Sequence, residues 1–486
     1  MLQARGKIAL FYLISALFIL LNAYFLVKRE SMILNALPVV LAILMLTIYA
    51  FDKLLYLVVI FTPLSLPLSE IMPGLSFDMF LPTEPLLFGI LLIFIMKYCA
   101  EGKFDREIMR HPVTIAIYFS LFWILLTSLT STMPVVSLKF FLARIWFIVG
   151  FYLLTAKLFE STRNMEKYVW LYTLPLVIVI FYTVTRLYGH GLWNKHAAHF
   201  VASPFYNDHT SYGAVIAMYL PFLFGFSFTR IYTPKTKIFV RIILVILIAG
   251  LILSYTRAAW VSMLAALGVW VIMRLRIRFI PLFTTSVVLL ALVFAFQTQL
   301  LMYLERNDTE SSANLGEHLS SISNISSDAS NLERINRWNS AIRMFEDKPV
   351  FGFGPGTYMF NYAPYQLNAN RTIISTNSAD RGNAHSEYLG PLAESGFMGL
   401  ISFLIIIIIT SYTAIRAYSR TNDKRLKTLL MGALLGLITY YIHGIMNNFL
   451  DTDKLSVPFW GFTAIIVAID IHTRKAKAEA LPENMA

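Results

Sequence analysis

Residues 391–415, PLAESGFMGLISFLIIIIITSYTAI, carry one acidic or basic side chain of the Asp, Glu, Lys or Arg type, Glu394, near their start. As an α-helix this stretch rises about 35 Å, enough to cross a hydrocarbon core of roughly 30 Å. Arg416, Arg420, Lys424, Arg425 and Lys427 follow at once, the mark of a span that ends at the cytoplasmic face. Comparable apolar runs lie on both sides, at 7–27, 32–50, 53–69, 82–99, 113–130, 136–156, 167–187, 209–229, 238–254, 257–273 and 279–300, then 428–447 and 455–472. A strand barrel would instead alternate over segments of about ten residues. The sequence therefore reads as an all-α polytopic integral membrane protein with about fourteen spans.

Composition agrees. Of 486 residues 57% are hydrophobic and 14% charged, against roughly 25% charged in soluble domains. The net charge of +12 could suggest a nucleic-acid partner, but its placement explains it otherwise. With the N-terminus inside, Arg5/Lys7, Lys97/Lys103/Arg106/Arg110, Arg230/Lys235/Lys237/Arg241, Arg274/Arg276/Arg278 and the cluster after residue 415 all fall on the inner side. The positive-inside rule is met with both termini cytoplasmic, and no nucleic acid is needed. The single cysteine, Cys99, leaves no internal disulfide and no cysteine-based metal site. Arg5 and Lys7 before the first span imitate a signal peptide. The expectation is a retained span, because no small-residue cleavage site appears before Lys28-Arg29-Glu30.

This divides the chain into helices 1–11 (residues 1–300), a loop on the outer side (301–390), helices 12–14 (391–472) and a cytoplasmic tail (473–486). Two shorter outer connections stand out: 70–81, with Asp78, and 188–208, with His190, His196 and His199. In the long loop, 307–331 is rich in Ser and Asn and has no periodicity. Residues 330–333 (SNLE) then match a capping box, and Leu332, Ile335, Trp338 or Asn339, Ile342 and Phe345 recur at helical spacing until Pro349 stops the helix. GFGPG (352–356) fits neither phosphate-binding glycine pattern and reads as a tight turn. A second helix is expected from Ala384-His385, giving two amphipathic helices on a membrane surface.

Chemistry-bearing residues gather on the outer side. Arg144 lies well inside its span, where a charge by default faces the bundle interior or a cavity. Arg257 sits at an outer span end, where an isolated Arg is as often a snorkelling anchor as a ligand-binding group. Lys139, Arg186, Arg334 and Arg337 lie towards the same side, the last two on one side of the loop helix. Such a rim of cations suits a polyanion, a diphosphate above all. His385 precedes the return to the membrane and could act as general base towards a sugar hydroxyl, although a lone His is more often structural. His196, His199, Asp208 and His209 are weakly metal-like; with no acidic cluster to complete them, no metal is expected. Glu84, Asp208, Glu333, Glu387 and Glu394 are scattered, and only Asp78 and Glu84 could pair near an outer span end.

LERINRWNSAIRMFEDKPVFGFGPGTY (332–358) and NAHSEYLGPLAESGFMGL (383–400), with SYTRAAW (254–260) upstream, resemble the O-antigen ligase family over roughly 250–400. The resemblance lies in Arg-x-x-x-Trp, Pro-x-x-Gly-x-Gly, and His-Ser with Glu-x-Gly-x-x-Gly nine residues on. It implies a GT-C-like glycosyltransferase in a bacterial inner membrane. Such an enzyme moves an undecaprenyl-diphosphate-linked glycan to an acceptor hydroxyl at the periplasmic face, with inversion and without metal or cofactor. By position Arg257 and Arg334 match the family's diphosphate-binding arginines, with Arg337 competing, and His385 matches its catalytic histidine. The implied acceptor is lipid A–core; polymerases and protein O-oligosaccharyltransferases share the superfamily. Fourteen spans against the usual dozen, and a 70–81 loop without Lys or Arg, depart from the ligase pattern. A transporter of lipid-linked saccharides would show internal repeats and broken helices, whereas here no repeat appears and polar residues concentrate at one face.

Overall fold

A computed structural model of the protein describes residues 2–29, 51–71, 79–102, 104–229, 232–275, 329–367 and 382–479, with 34, 37, 38, 41, 45 and 375 as isolated positions. The chain forms two compact units, 1–57 and 58–486. The first contains α1 (Leu2–Arg29), in whose apolar window Tyr12–Arg29 no residue is fully buried. Helix α2 (Phe51–Phe61) begins there. The rest follows as α3 (Thr83–Glu101), α4 (Pro112–Leu129), α5 (Pro134–Leu158), α6 (Thr162–His190), α7 (His209–Phe228), α8 (Pro234–Leu253), α9 (Arg257–Leu275), α10 (Ala329–Asp347), α11 (Leu389–Arg420), α12 (Lys424–His443) and α13 (Asp453–Glu479).

Among the described residues eleven helices are long and apolar enough to cross a membrane: α1, α3 to α9 and α11 to α13. Each matches an expected span to within a few residues. The expected spans 32–50 and 279–300 lie outside the residues described continuously. The stretch 53–69 is different. With 11 residues, α2 is about 16 Å long, half a hydrocarbon core. It stops because Pro63 enters a tight turn, after which Leu66–Pro67 pairs antiparallel with Phe80–Leu81. Buried Lys454 fixes that turn, its Nζ donating to the Thr62 and Ser65 carbonyls at 2.6 and 2.7 Å. Asp453 accepts from Ser65 Oγ at 2.8 Å and Thr83 Oγ1 at 2.5 Å.

In the second unit α7, α12 and α13 are central, with 83%, 72% and 89% of their span windows buried, against 17% for α9. Helices α7 and α12 pack closely because Gly432 and Gly436 carry no side chain. A Cβ there would lie 2.5 Å from the Phe222 ring and 2.5 Å from the Met218 carbonyl. Small residues spaced four apart permit such backbone approach in membranes. At one end of the bundle Asp470, wholly buried, binds His111 Nε2 at 3.1 Å, Arg474 at 2.6 Å and Arg420. His111 Nδ1 accepts from Val113 N–H, so Nε2 donates. One carboxylate thereby joins the start of α4 to the ends of α11 and α13.

At the opposite end the 349–358 segment locks onto α11. Phe353 and Gly354 N–H donate to the Ala393 and Glu394 carbonyls at 3.2 and 2.8 Å, and Phe397 N–H to Pro349 O at 3.0 Å. The Glu394 carboxylate accepts from Tyr358 N–H at 2.9 Å. Gly354 (φ +113) and Gly396 (φ +67) both lie in the left-handed region, and a Cβ at Gly396 would meet the Val350 carbonyl at 2.1 Å. The expected glycine turn is therefore also a docking surface.

One expectation for the loop needs correction. No helix starts at Ala384-His385: His385 is in a left-handed turn (φ 47), and α11 begins only at Leu389, where Ser386 Oγ accepts the Tyr388 and Leu389 N–H groups. In α10 the buried face is the polar one, Glu333, Asn336, Arg337 and Ser340 with Ala341 and Met344, while Ile342 is exposed. Of the apolar positions Ile335, Trp338 and Phe345 are half-buried and Ile342 is exposed.

Gly396→Ala should lower the melting temperature in detergent by an amount equivalent to about 2 kcal/mol or more, because the left-handed backbone and the Val350 contact both oppose a methyl group. Gly268→Ala, in α9 with open space around it, should leave it unchanged or raise it by up to about 1 kcal/mol.

Candidate functional site

The loop and the ends of α7, α9 and α12 converge around His385. Its N–H donates to Asn383 Oδ1 at 3.1 Å, and its carbonyl accepts from Trp338 Nε1 at 3.4 Å. A histidine in left-handed backbone is uncommon and costs of order 1 kcal/mol; these two bonds hold it there. Burial pushes the imidazole down to about 3, and the Arg337 and Arg334 charges push the same way. The ring is therefore neutral at neutral pH and able to accept a proton.

Arg334 and Arg337, adjacent on α10, have different surroundings. Arg337 is buried; its Nε donates to Glu333 at 2.8 Å, it donates to the Asn383 carbonyl at 3.1 Å, and it lies over the Tyr362 ring. These contacts commit it to the core of the loop. Arg334 is half-buried, and its charge acts on both His385 and His443. Arg257 opens α9 directly after the left-handed turn at Tyr255. The neighbouring Thr256 Oγ1 donates to the His209 carbonyl at 2.9 Å, so Arg257 reaches the same end of the bundle.

Asp208 caps α7 through the Thr210 N–H and pairs with His209 Nδ1 at 2.9 Å. Burial opposes its ionisation, but His209 and Thr210 outweigh burial and hold its carboxyl well below the usual range. Its charge also reaches His385. His199 and His209 stack with ring centroids 4.2 Å apart and planes 3° from parallel, so they lie face to face rather than converging on a shared point. Burial, with His209 and Lys195, pushes His199 down to about 4. Among the described residues no group of three or more His, Cys, Asp or Glu could hold a metal ion.

The other candidates sit elsewhere. Arg144 donates to the Leu450 carbonyl at 2.8 Å. It lines a separate cavity of about 70 Å³ with Phe140, Glu387, Glu394 and Trp460. Arg186 straps the 201–203 turn, donating to the Val201 and Ser203 carbonyls. Lys139 is exposed on α5. Glu394 is engaged by the glycine turn described above. Glu84 accepts from Phe80 N–H at 3.2 Å, and Asp78, its expected partner, lies outside the described residues.

Two participants are not apparent from sequence. Glu387, read as one of several scattered acids, accepts from Tyr440 OH at 2.5 Å, Phe449 N–H at 2.8 Å and Leu450 N–H at 2.9 Å. Burial raises its carboxyl above the ordinary value, against the Arg144 charge and the Tyr440 bond. His443, within HGIMNN, ends α12 beside the site; a histidine at a span terminus was the available signal.

A neutral histidine faced by arginines, at one end of a helical membrane bundle, defines a site suited to deprotonating a hydroxyl beside an anion. Residues 242–404 match the family model described as O-antigen ligase, and this domain supports membership of the O-antigen ligase superfamily. The match runs from α8 into α11 and contains Arg257, Arg334, Arg337, His385 and Glu394. The walls formed by His199, Asp208, His209 and His443 come from outside it. No curated protein matches the chain.

Because Arg337 neutralises buried Glu333, Arg337→Met should destabilise the protein by about 3–5 kcal/mol, read as a lowered melting temperature. Arg334→Met should cost clearly less; equal losses would show that both arginines belong to the loop core.

Proposed function

We propose that the protein transfers a glycan from an undecaprenyl-diphosphate carrier to an acceptor hydroxyl, with inversion and without a metal, at the periplasmic face of a bacterial inner membrane. His385 is the general base, and Arg257 and Arg334 hold the diphosphate. The supporting observation is the neutral, backbone-clamped His385 beside Arg334, within the segment that matches the ligase family. The acceptor oxygen attacks the anomeric carbon and passes its proton to the imidazole. The bond from that carbon to the diphosphate breaks, and the lipid diphosphate leaves with the electron pair. Guanidinium groups stabilise the charge growing on the leaving oxygens, and as preorganised forks they suit phosphoryl oxygen. Arg337 acts through the loop, keeping His385 and Arg334 in place. Lipid A–core is the proposed acceptor, with both chain termini cytoplasmic.

Purified protein in proteoliposomes, given undecaprenyl-diphosphate-linked oligosaccharide, lipid A–core and chelator, should glycosylate lipid A–core. His385→Ala should lower transfer by about 10²-fold or more while inserting normally. Longer lipid-linked chains with lipid A–core untouched would identify a polymerase instead, and dependence on a divalent cation would remove the metal-free step.

The pH profile gives a second test. Because the His385 pKa is depressed from 6.5 to about 3, its base form persists as pH falls through 6.5 and disappears only in strong acid. The kcat/KM profile should therefore carry no imidazole limb between pH 5 and 8. A limb near pH 6.5 that vanishes in His385→Ala would contradict the buried state of this ring.

A further inference from the structure

We propose that His443 is a second histidine in the donor site, its Nδ1–H donating to a phosphoryl oxygen of the lipid-linked diphosphate; this rests on the glycosyl-transfer reading above. His443 is 1% exposed. The Asn447 amide nitrogen faces its Nε2 at 3.1 Å. An amide NH₂ can only donate, so Nε2 accepts and the ring proton lies on Nδ1. That Nδ1 is buried and has no hydrogen-bond partner among the described residues. A buried donor left unmade is costly, and native interiors rarely keep one without a reason.

Geometry places this donor in the site. Contacts of Gly436 with Met218, Gly432 with Phe222 and Gly225 with Thr428 run α7 and α12 antiparallel, a register that brings His443 level with the first turn of α7. Gly444, the next residue, accepts Glu387 N–H at 2.8 Å, and Tyr388 OH donates to the Tyr441 carbonyl at 2.9 Å. The end of α12 is thus bonded to the segment carrying His385. Arg334, Asp208 and His209 are all near enough for their charges to act on His443. Asp208, the strongest of these charges on His443, is already paired with His209. The donor diphosphate of the proposed reaction supplies the anionic oxygens that suit a buried N–H donor.

The alternative role, bracing the helix end through Asn447, uses the other nitrogen, so two amide substitutions separate them. Asn places its NH₂ where Nδ1 stands but does not reach Asn447. Gln reaches the Nε2 position and meets Asn447 but offers nothing at Nδ1. Undecaprenyl diphosphate, without sugar, is titrated against the purified full chain in nanodiscs. His443→Asn should bind within about threefold of wild type and His443→Gln about tenfold or more weakly. The reverse order, equal loss or equal retention would overturn the proposal while leaving the function standing. Failure of the wild-type chain to bind this lipid would overturn both.

Discussion

Buried carboxylates that meet backbone N–H groups hold the site end of this protein together. Glu387 and Glu394 have no ion-pair partner within salt-bridge distance among the described residues; their oxygens are met by peptide N–H groups and, at Glu387, by Tyr440 OH. An acceptor in a low-dielectric interior must be satisfied or it destabilises the fold. Meeting that demand ties each carboxylate to a segment distant in sequence. Glu394 fixes the glycine turn, and through it the loop carrying α10. Glu387 fixes the connection between α12 and α13, and with it the position of His385 two residues away. The placement of the histidine, the arginines and α12 all depends on these bonds.

The bundle's other end uses its carboxylate differently. Asp470 gathers one histidine and two arginines, whereas Glu387 and Glu394 collect mainly peptide groups. Charge pairing at that end joins helix termini. At the site end peptide groups satisfy the carboxylates, and the charges of Arg334 and Arg337 both act on His385. Arg337, three residues from Arg334, is bonded to Glu333 and to the Asn383 carbonyl and lies over the Tyr362 ring.

Most of the helical scaffold was legible in the sequence because a span is a local property, readable from a continuous apolar run. The exceptions are physical. The run 53–69 is apolar enough, yet Pro63 and the buried Lys454–Asp453 pair, almost 400 positions away, bend it into a turn. Hydropathy cannot register so distant a partner. The helical spacing from Leu332 to Phe345 predicted a helix correctly, but it could not show that Glu333, Asn336, Arg337 and Ser340 would be the buried side chains, because their partners lie elsewhere in the chain. Motif spacing marked His385, Arg257 and Arg334. It could not separate Arg334 from Arg337, whose difference lies in Glu333, Asn383 and Tyr362. It gave no sign of Glu387 or His443, whose importance comes from what the fold packs against them.

The glycine-mediated approach of α7 and α12 has a mechanical consequence. With Gly436 against the Met218 carbonyl and Gly432 against the Phe222 ring, the two helices cannot slide without losing many contacts together. They form a stator, and His209 and His443, at the adjoining ends of those two helices, are mounted on it. His385 and Arg334 stand on the other wall, on the turn before α11 and on α10, which the Glu387 and Glu394 carboxylates tie to the bundle through peptide N–H groups, so the two walls of the site are held by different kinds of contact.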